Sequence, residues 1–220
     1  MKYPAIVPVP HTGKEHITDE KGNPVSSLLD FWRWAHSDLM GNAERGILAE
    51  YLVACALDIP RNVRGLWDRY DLITPEGITI EVKSSGYLQS WGQEHLSTIS
   101  FGIAPTKGWD DKTNTYETKS KRQAQVYVFC VHHHQEQETA NPLDTSQWTF
   151  YVLPTKTLDE KVGTQKHITL SSLRKLGAVP ASFGELHRVI HEIKITKPPV
   201  LPRQGVFFIC PTRFLLYLLP

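Results

Sequence analysis

Apolar residues recur at helical spacing twice near the start of the chain. In LLDFWRWAHSDLM, residues Leu28, Phe31, Trp32, Ala35 and Leu39 fall on one stripe, and Ser27 with Asp30 three residues on reads as a capping box. After a break at Gly41, Asn42 is placed to cap a second helix through AERGILAEYLVACALD, which Pro60 ends. The period then shortens. RYDLI, the turn TPEG and the returning ITIEVKS predict a hairpin, followed by a polar and aromatic connection, SSGYLQSWGQ. STISFGIAP reads as a strand and GWDDKTNTYETKSKRQ as a long polar loop. VYVFCVH is a continuous run of β-branched and aromatic residues, as in a strand buried on both faces. WTFYVLP is a further strand, and SSLRKL and SFGELHRVIHEI look helical around loops. This order predicts an α/β (α+β) fold with a mixed central β-sheet flanked by helices.

Composition sets bounds on that picture. The chain has 220 residues, 40% of them hydrophobic, enough for a sizeable core and too apolar for extended disorder. Residues 1–25 read as an irregular arm, 26–200 as a single domain with its core at about 42–131, and 201–220 as an apolar tail. The N-terminus has prolines and no signal-peptide core. The tail, GVFFICPTRFLLYLLP, is short for a membrane span and holds Arg213 and Pro211, so it is expected to pack or interact, or else to be disordered or dock on a partner, with no membrane role. Cys55, Cys130 and Cys210 are odd in number, widely spaced and set among apolar neighbours, which predicts reduced, buried thiols and a cytoplasmic location. A net charge of +1 excludes a general polycation, so any nucleic-acid surface must be a local patch.

The hairpin carries the chemistry. Alternate strand residues share a face, so Glu81 and Lys83 point together while Ile80 and Val82 point into the core. The turn brings Asp71 back near Glu81, in register or one residue off. Two adjacent carboxylates repel unless a cation neutralises them, and hard oxygen donors suit Mg²⁺ or Mn²⁺. A lysine beside them offers fixed positive charge to an anionic oxygen. Such a set suits phosphodiester chemistry. The alternative is a salt-bridged solvent face, which the apolar flanks DLI and ITIEV argue against. Asp68 competes with Asp71, but its three-residue offset takes it away from Glu81.

Asp71 followed by Glu81-Val82-Lys83, on a hairpin after a helix bearing a Glu, resembles the PD-(D/E)XK nuclease superfamily, which includes many type II restriction endonucleases. The resemblance covers about residues 42–131. It departs from the pattern at Tyr70, where the nominal residue is proline. It implies a restriction-endonuclease-like fold and hydrolysis of DNA with Mg²⁺ or Mn²⁺ held by Asp71, Glu81, the Val82 carbonyl and Glu50. Lys83 would stabilise charge at phosphorus, and the cut would leave a 5′-phosphate and a 3′-hydroxyl. A restriction role further implies a partner methyltransferase, and paired cuts would favour a homodimer built on the Trp32 and Trp34 helix or the tail.

Other residues are candidates with plain alternatives. Glu50 lies at the margin of the apolar helix face, where it would serve the site or pair with an arginine. Glu44 is its rival, but its place at a helix start is explained by the helix dipole. Gln89 fits a glutamine that some superfamily members carry after the lysine, or else an ordinary polar loop. Tyr87 and Trp91 would stack on bases or pack under the loop. Lys119, Lys121 and Arg122, with Lys107 and Lys112, form a phosphate-contacting patch or a solvated loop. Arg61, Arg64 and Arg69 would flank the same cleft. His132, His133 and His134 alternate in direction and cannot share one ion from a regular strand, so they read as a solvated strand end. Two further readings stand beside the nuclease: a nuclease fold used for DNA binding or assembly with little or no catalysis, and a protein-interaction module.

Overall fold

The computed structural model describes residues 6–59, 63–65, 69–110 and 115–193. Pro60, Arg61, Asp68, Lys112, Cys210 and the tail 201–220 lie outside the described residues. The first elements are an antiparallel ribbon of β1 (His16–Thr18) and β2 (Pro24–Ser27), which lies mostly in the stretch 1–25 expected to be an irregular arm. Its strands are short and their residues mostly exposed, so no hydrophobic alternation announces them. Helix α1 (Leu28–His36) follows with the expected capping box between Ser27 and Asp30. It buries none of its residues, and Trp34 is 85% exposed.

Helix α2 (Asn42–Ala56) starts one residue earlier than expected. Gly41 takes the extended N-cap conformation, and the Asn42 carboxamide is turned to the Arg45 guanidinium instead of the helix end. Asp58 adopts a left-handed φ of 51°, and the Ile59 N–H returns to the Ala54 carbonyl at 2.9 Å, which closes the helix before Pro60 is reached.

The hairpin is β3 (Leu72–Ile73) and β4 (Thr79–Gly86). Pro75 fits the second position of its turn, and Gly77 takes the positive φ of 89° that the turn requires. The long connection from β4 carries β5 (Ser100–Gly102), then a small ribbon of β6 (Trp109–Asp110) and β7 (Thr115–Tyr116). Next come β8 (Val126–His132) and β9 (Trp148–Pro154), helix α3 (Thr155–Val162), β10 (His167–Thr169), α4 (Leu170–Lys175), β11 (Val179–Ala181) and α5 (Leu186–Glu192).

The central sheet has five strands in the order β11-β9-β8-β4-β3, with β4 and β8 parallel and the other pairs antiparallel. All seven residues of β8 are buried, as its unbroken apolar run predicts. On one face Ile80, Val82, Val126, Val128 and Cys130 pack with α2 and α5. On the other, Tyr127, Phe129 and Val131 pack with Phe101 of β5, Ile168 of β10, Leu158 of α3 and Leu173 of α4. The protein is therefore an α+β structure with a mixed sheet covered on both faces. Among the described residues no helix is long and apolar enough to cross a membrane. Cys130 is buried as expected, but Cys55 is only half-buried at the flank of α2.

Candidate functional site

The pairing of Leu72 with Ile80 and Ile73 with Thr79 sets the register, and the next step along it brings Asp71 across from Glu81. Beyond Leu72 the two-stranded pairing stops. The Asp71 carboxylate then accepts the Val82 N–H at 2.6 Å, while the Asp71 N–H donates to the Ile80 carbonyl at 3.1 Å. Asp71 is thus fixed to β4 by its side chain as well as its backbone. Glu81 and Lys83 share a face of β4, and the Lys83 ammonium donates to Glu81 at 2.6 Å.

Glu50 reaches the same region from α2. Its two oxygens receive the Arg64 guanidinium at 2.6 and 2.7 Å, a paired geometry that makes for a strong contact. Gly46, one turn earlier, lies over Ser84, so α2 approaches β4 closely there. Glu44 instead meets His36 at 3.1 Å at the start of α2. The structure thus brings together Asp71, Glu81, Lys83, Glu50 and Arg64, and sets Glu44 apart.

The electrostatics of this group are unbalanced. Burial, the Glu81 charge and the Glu50 charge push the Asp71 carboxyl up to about 7, against the Val82 N–H and Lys83. Burial alone would lower the Lys83 ammonium, but Glu81, Asp71 and Glu50 hold it above its ordinary value. The bond to Glu50 raises Arg64 likewise. Tyr127, the partner of Glu81 on β8, is driven further toward its neutral phenol by burial and by Glu81.

Among the described residues, no group of three or more Asp, Glu, His or Cys side chains is arranged to hold a metal ion. Lys83 and Arg64 occupy oxygens of Glu81 and Glu50. The donor chemistry nevertheless fits a hard dication. Three carboxylates face two cations, and burial with the neighbouring negative charge suppresses ionisation of Asp71.

Several expected site residues lie elsewhere. Gln89 follows the far end of β4, an end about 16 Å from Glu81 by strand rise. Its carboxamide accepts from Arg45 at 3.2 Å and donates to the Gly86 carbonyl and the Ser97 hydroxyl, so it braces a loop. Arg122 is buried, and its guanidinium binds the Ile103 and Gln165 carbonyls and Asp159, which removes it from any phosphate-contacting patch. Lys119 and Lys107 remain exposed, and Lys121 reaches Glu117 at 3.3 Å. Arg69 ties the start of the hairpin to the β6–β7 ribbon through the Trp109 carbonyl and Glu117.

His132 is fully buried against Trp148 and bonded to Gln147, not solvated, because β8 continues through it. His133 is exposed and reaches Thr149, and half-buried His134 reaches Thr139. The residue that sequence reasoning missed is Arg45, 2% exposed, whose guanidinium joins Met40, Asn42, Leu88 and Gln89. Its signal was present: it lies four residues before Ala49 on the apolar stripe of α2.

A comparison with curated proteins finds no match. The family model described as Bacteriophage T4 endonuclease IV matches residues 14–167, a span that includes α2, the whole β3–β4 hairpin with Asp71, Glu81 and Lys83, and the buried strands β8 and β9. That match covers well over half of the chain and supports a nuclease: the chain belongs to the bacteriophage T4 endonuclease IV family.

Proposed function

We propose that the protein is a metal-dependent endonuclease that hydrolyses phosphodiester bonds in DNA, with a site of the PD-(D/E)XK, restriction-endonuclease-like kind. One observation carries this reading: Asp71, Glu81 and Lys83 converge at the start of β4, and Asp71 is buried beside two further carboxylates. That arrangement disfavours ionised carboxylates unless a cation joins them. Membership of an endonuclease family supplies the reaction class.

Asp71 and Glu81, with the Val82 carbonyl and Glu50, would hold Mg²⁺ or Mn²⁺. When bound, the ion supplies Lewis acidity to the phosphoryl group and acidifies a water. The protein's own groups do the rest. Lys83 is kept protonated by the surrounding carboxylates and stabilises negative charge that builds up on phosphorus. The Val82 N–H holds Asp71 in one orientation, and the pair with Arg64 holds Glu50 on α2. Exposed Lys119 and Lys107 provide phosphate contacts outside the site. A partner methyltransferase and a homodimer belong to the restriction form of this reading, and the hydrolysis itself requires neither.

Incubation with supercoiled plasmid, linear duplex, single-stranded DNA and RNA, in Mg²⁺, Mn²⁺ or EDTA, tests the proposal. Cleavage of DNA by the wild type with either ion, absent in EDTA and strongly reduced in Lys83→Ala, is the expected result. No cleavage in any condition, or cleavage that persists in EDTA, overturns it. A binding module of the same fold would bind DNA in these conditions and leave it intact.

A further inference from the structure

Beyond the carboxyl ends of the parallel strands β4 and β8 opens a cleft of about 580 Å³, a volume common for small-ligand sites. Tyr87 follows β4 and Gln135 follows β8. Leu96 and Ser97 come from the loop after β4, and Ser171 and Arg174 from α4. In open α/β sheets, ligands favour this end of parallel strands. Among the described residues that line it, the cleft has one cation and no carboxylate. Its walls combine an aromatic ring, aliphatic surface, hydroxyls, a carboxamide and a guanidinium.

Two of its walls are held in place. The Gln93 carboxamide accepts the Gln89 N–H at 2.7 Å and donates to the Tyr87 carbonyl and the Ser97 hydroxyl. The Ser97 N–H closes the same loop on Tyr87 at 2.9 Å. Arg174 donates to the Tyr151 hydroxyl at 2.5 and 3.2 Å and lies over the Tyr151 ring, which fixes the guanidinium while most of its donors stay uncommitted.

The cleft and the candidate site lie toward opposite ends of the same strand. Glu81, Lys83 and Ser85 alternate along one face of β4, and Tyr87, just past the strand, packs against the core that lies on that same face. Six residues of strand separate Glu81 from Tyr87, about 20 Å. That is too far for the reacting phosphate and within reach of nucleotides flanking it.

We propose that this cleft is a subsite for a flanking nucleotide of the substrate strand, the base lying against Tyr87 and Leu96 and a phosphate on Arg174. The proposal rests on the nuclease reading. The subsite grips the strand away from the cut and adds affinity only for substrates long enough to reach it.

Fluorescence anisotropy of the full-length protein in EDTA, with a length series of labelled oligothymidylates and matched duplexes, tests this without cleavage. Arg174→Ala and Ser171→Glu should each weaken binding of long oligonucleotides roughly tenfold, the scale of one stacked base or charged contact, and leave the shortest ones unaffected. Ser171 is exposed and leaves the Arg174–Tyr151 contact intact, so this variant guards against a folding artefact. Equal weakening at every length, no weakening, or no binding by the wild type overturns the subsite. Plasmid cleavage by the wild type is measured alongside. If cleavage is present and the variants bind normally, the subsite falls and the nuclease reading stands. If cleavage is absent, the nuclease reading falls and the length series alone judges the cleft.

Discussion

The two ends of β4 both hold charge away from water, but they do so in opposite ways. At the far end the Arg45 cation is received by neutral oxygens of Asn42, Gln89 and the Met40 and Leu88 carbonyls, with the Nε atom alone lacking a partner. Gly86 leaves the room this requires, since a Cβ there would come within 3.2 Å of the guanidinium. At the near end Asp71, Glu81 and Glu50 crowd one another, and Lys83 and Arg64 offset only part of their charge. A charge hydrogen-bonded to neutral acceptors, with one opposite charge, Asp38, acting on it, is a brace. Like charges gathered together cost stability, and that cost makes sense if the cluster has work to do with a cation.

The contrast can be broken by substitution at either end. The largest effect should come from Lys83→Ala, which removes the cation proposed to face the phosphate. DNA cleavage should fall by about 10²- to 10³-fold or more, while the circular dichroism spectrum stays that of the wild type. A fall in cleavage no larger than that of Gln89→Ala would erase the distinction between the ends.

Next is Arg45→Met, which strips the acceptors at the far end of their donor. Urea unfolding should show a loss of about 3 kcal/mol. An unchanged midpoint would mean that Arg45 braces nothing.

Asp71→Asn sharpens the other side. The Asp71 carboxyl stands at about 7 in the folded protein, against 3.8 as its ordinary value. A folded value above the unfolded one means that the folded state keeps its proton longer. In metal-free protein the stabilising contribution is complete below the ordinary value and is lost as pH rises to about 7. Asp71→Asn should remove this decline, so that the variant exceeds the wild type in thermal midpoint above neutral pH and not in acid. Parallel curves for the two proteins would contradict the crowding. The smallest effect is expected of Gln89→Ala: about 1 kcal/mol of unfolding stability, with cleavage retained.

Much of this was legible in the sequence. The hairpin, its TPEG turn and the buried VYVFCVH strand follow from local pattern, since alternation, turn residues and unbroken apolar runs are local consequences of the fold. The face shared by Glu81 and Lys83 followed from strand period alone, and the alignment of Asp71 with Glu81 needed only the register. What was not legible depends on distant partners. Arg122 reads as part of a basic loop until Asp159 and the Ile103 carbonyl arrive from elsewhere in the chain. Gln89 reads as a site residue until Arg45 is seen to claim it. The β1–β2 ribbon lacks a buried face and so leaves no periodic mark.

The central claim is that the acidic end of β4 takes up a dication. Calorimetric titration of Mn²⁺ into the wild type, Asp71→Asn and Gln89→Ala tests it most directly. Binding by the wild type and by Gln89→Ala, lost in Asp71→Asn, is the result the account predicts. No binding by the wild type, or undiminished binding by Asp71→Asn, would contradict it.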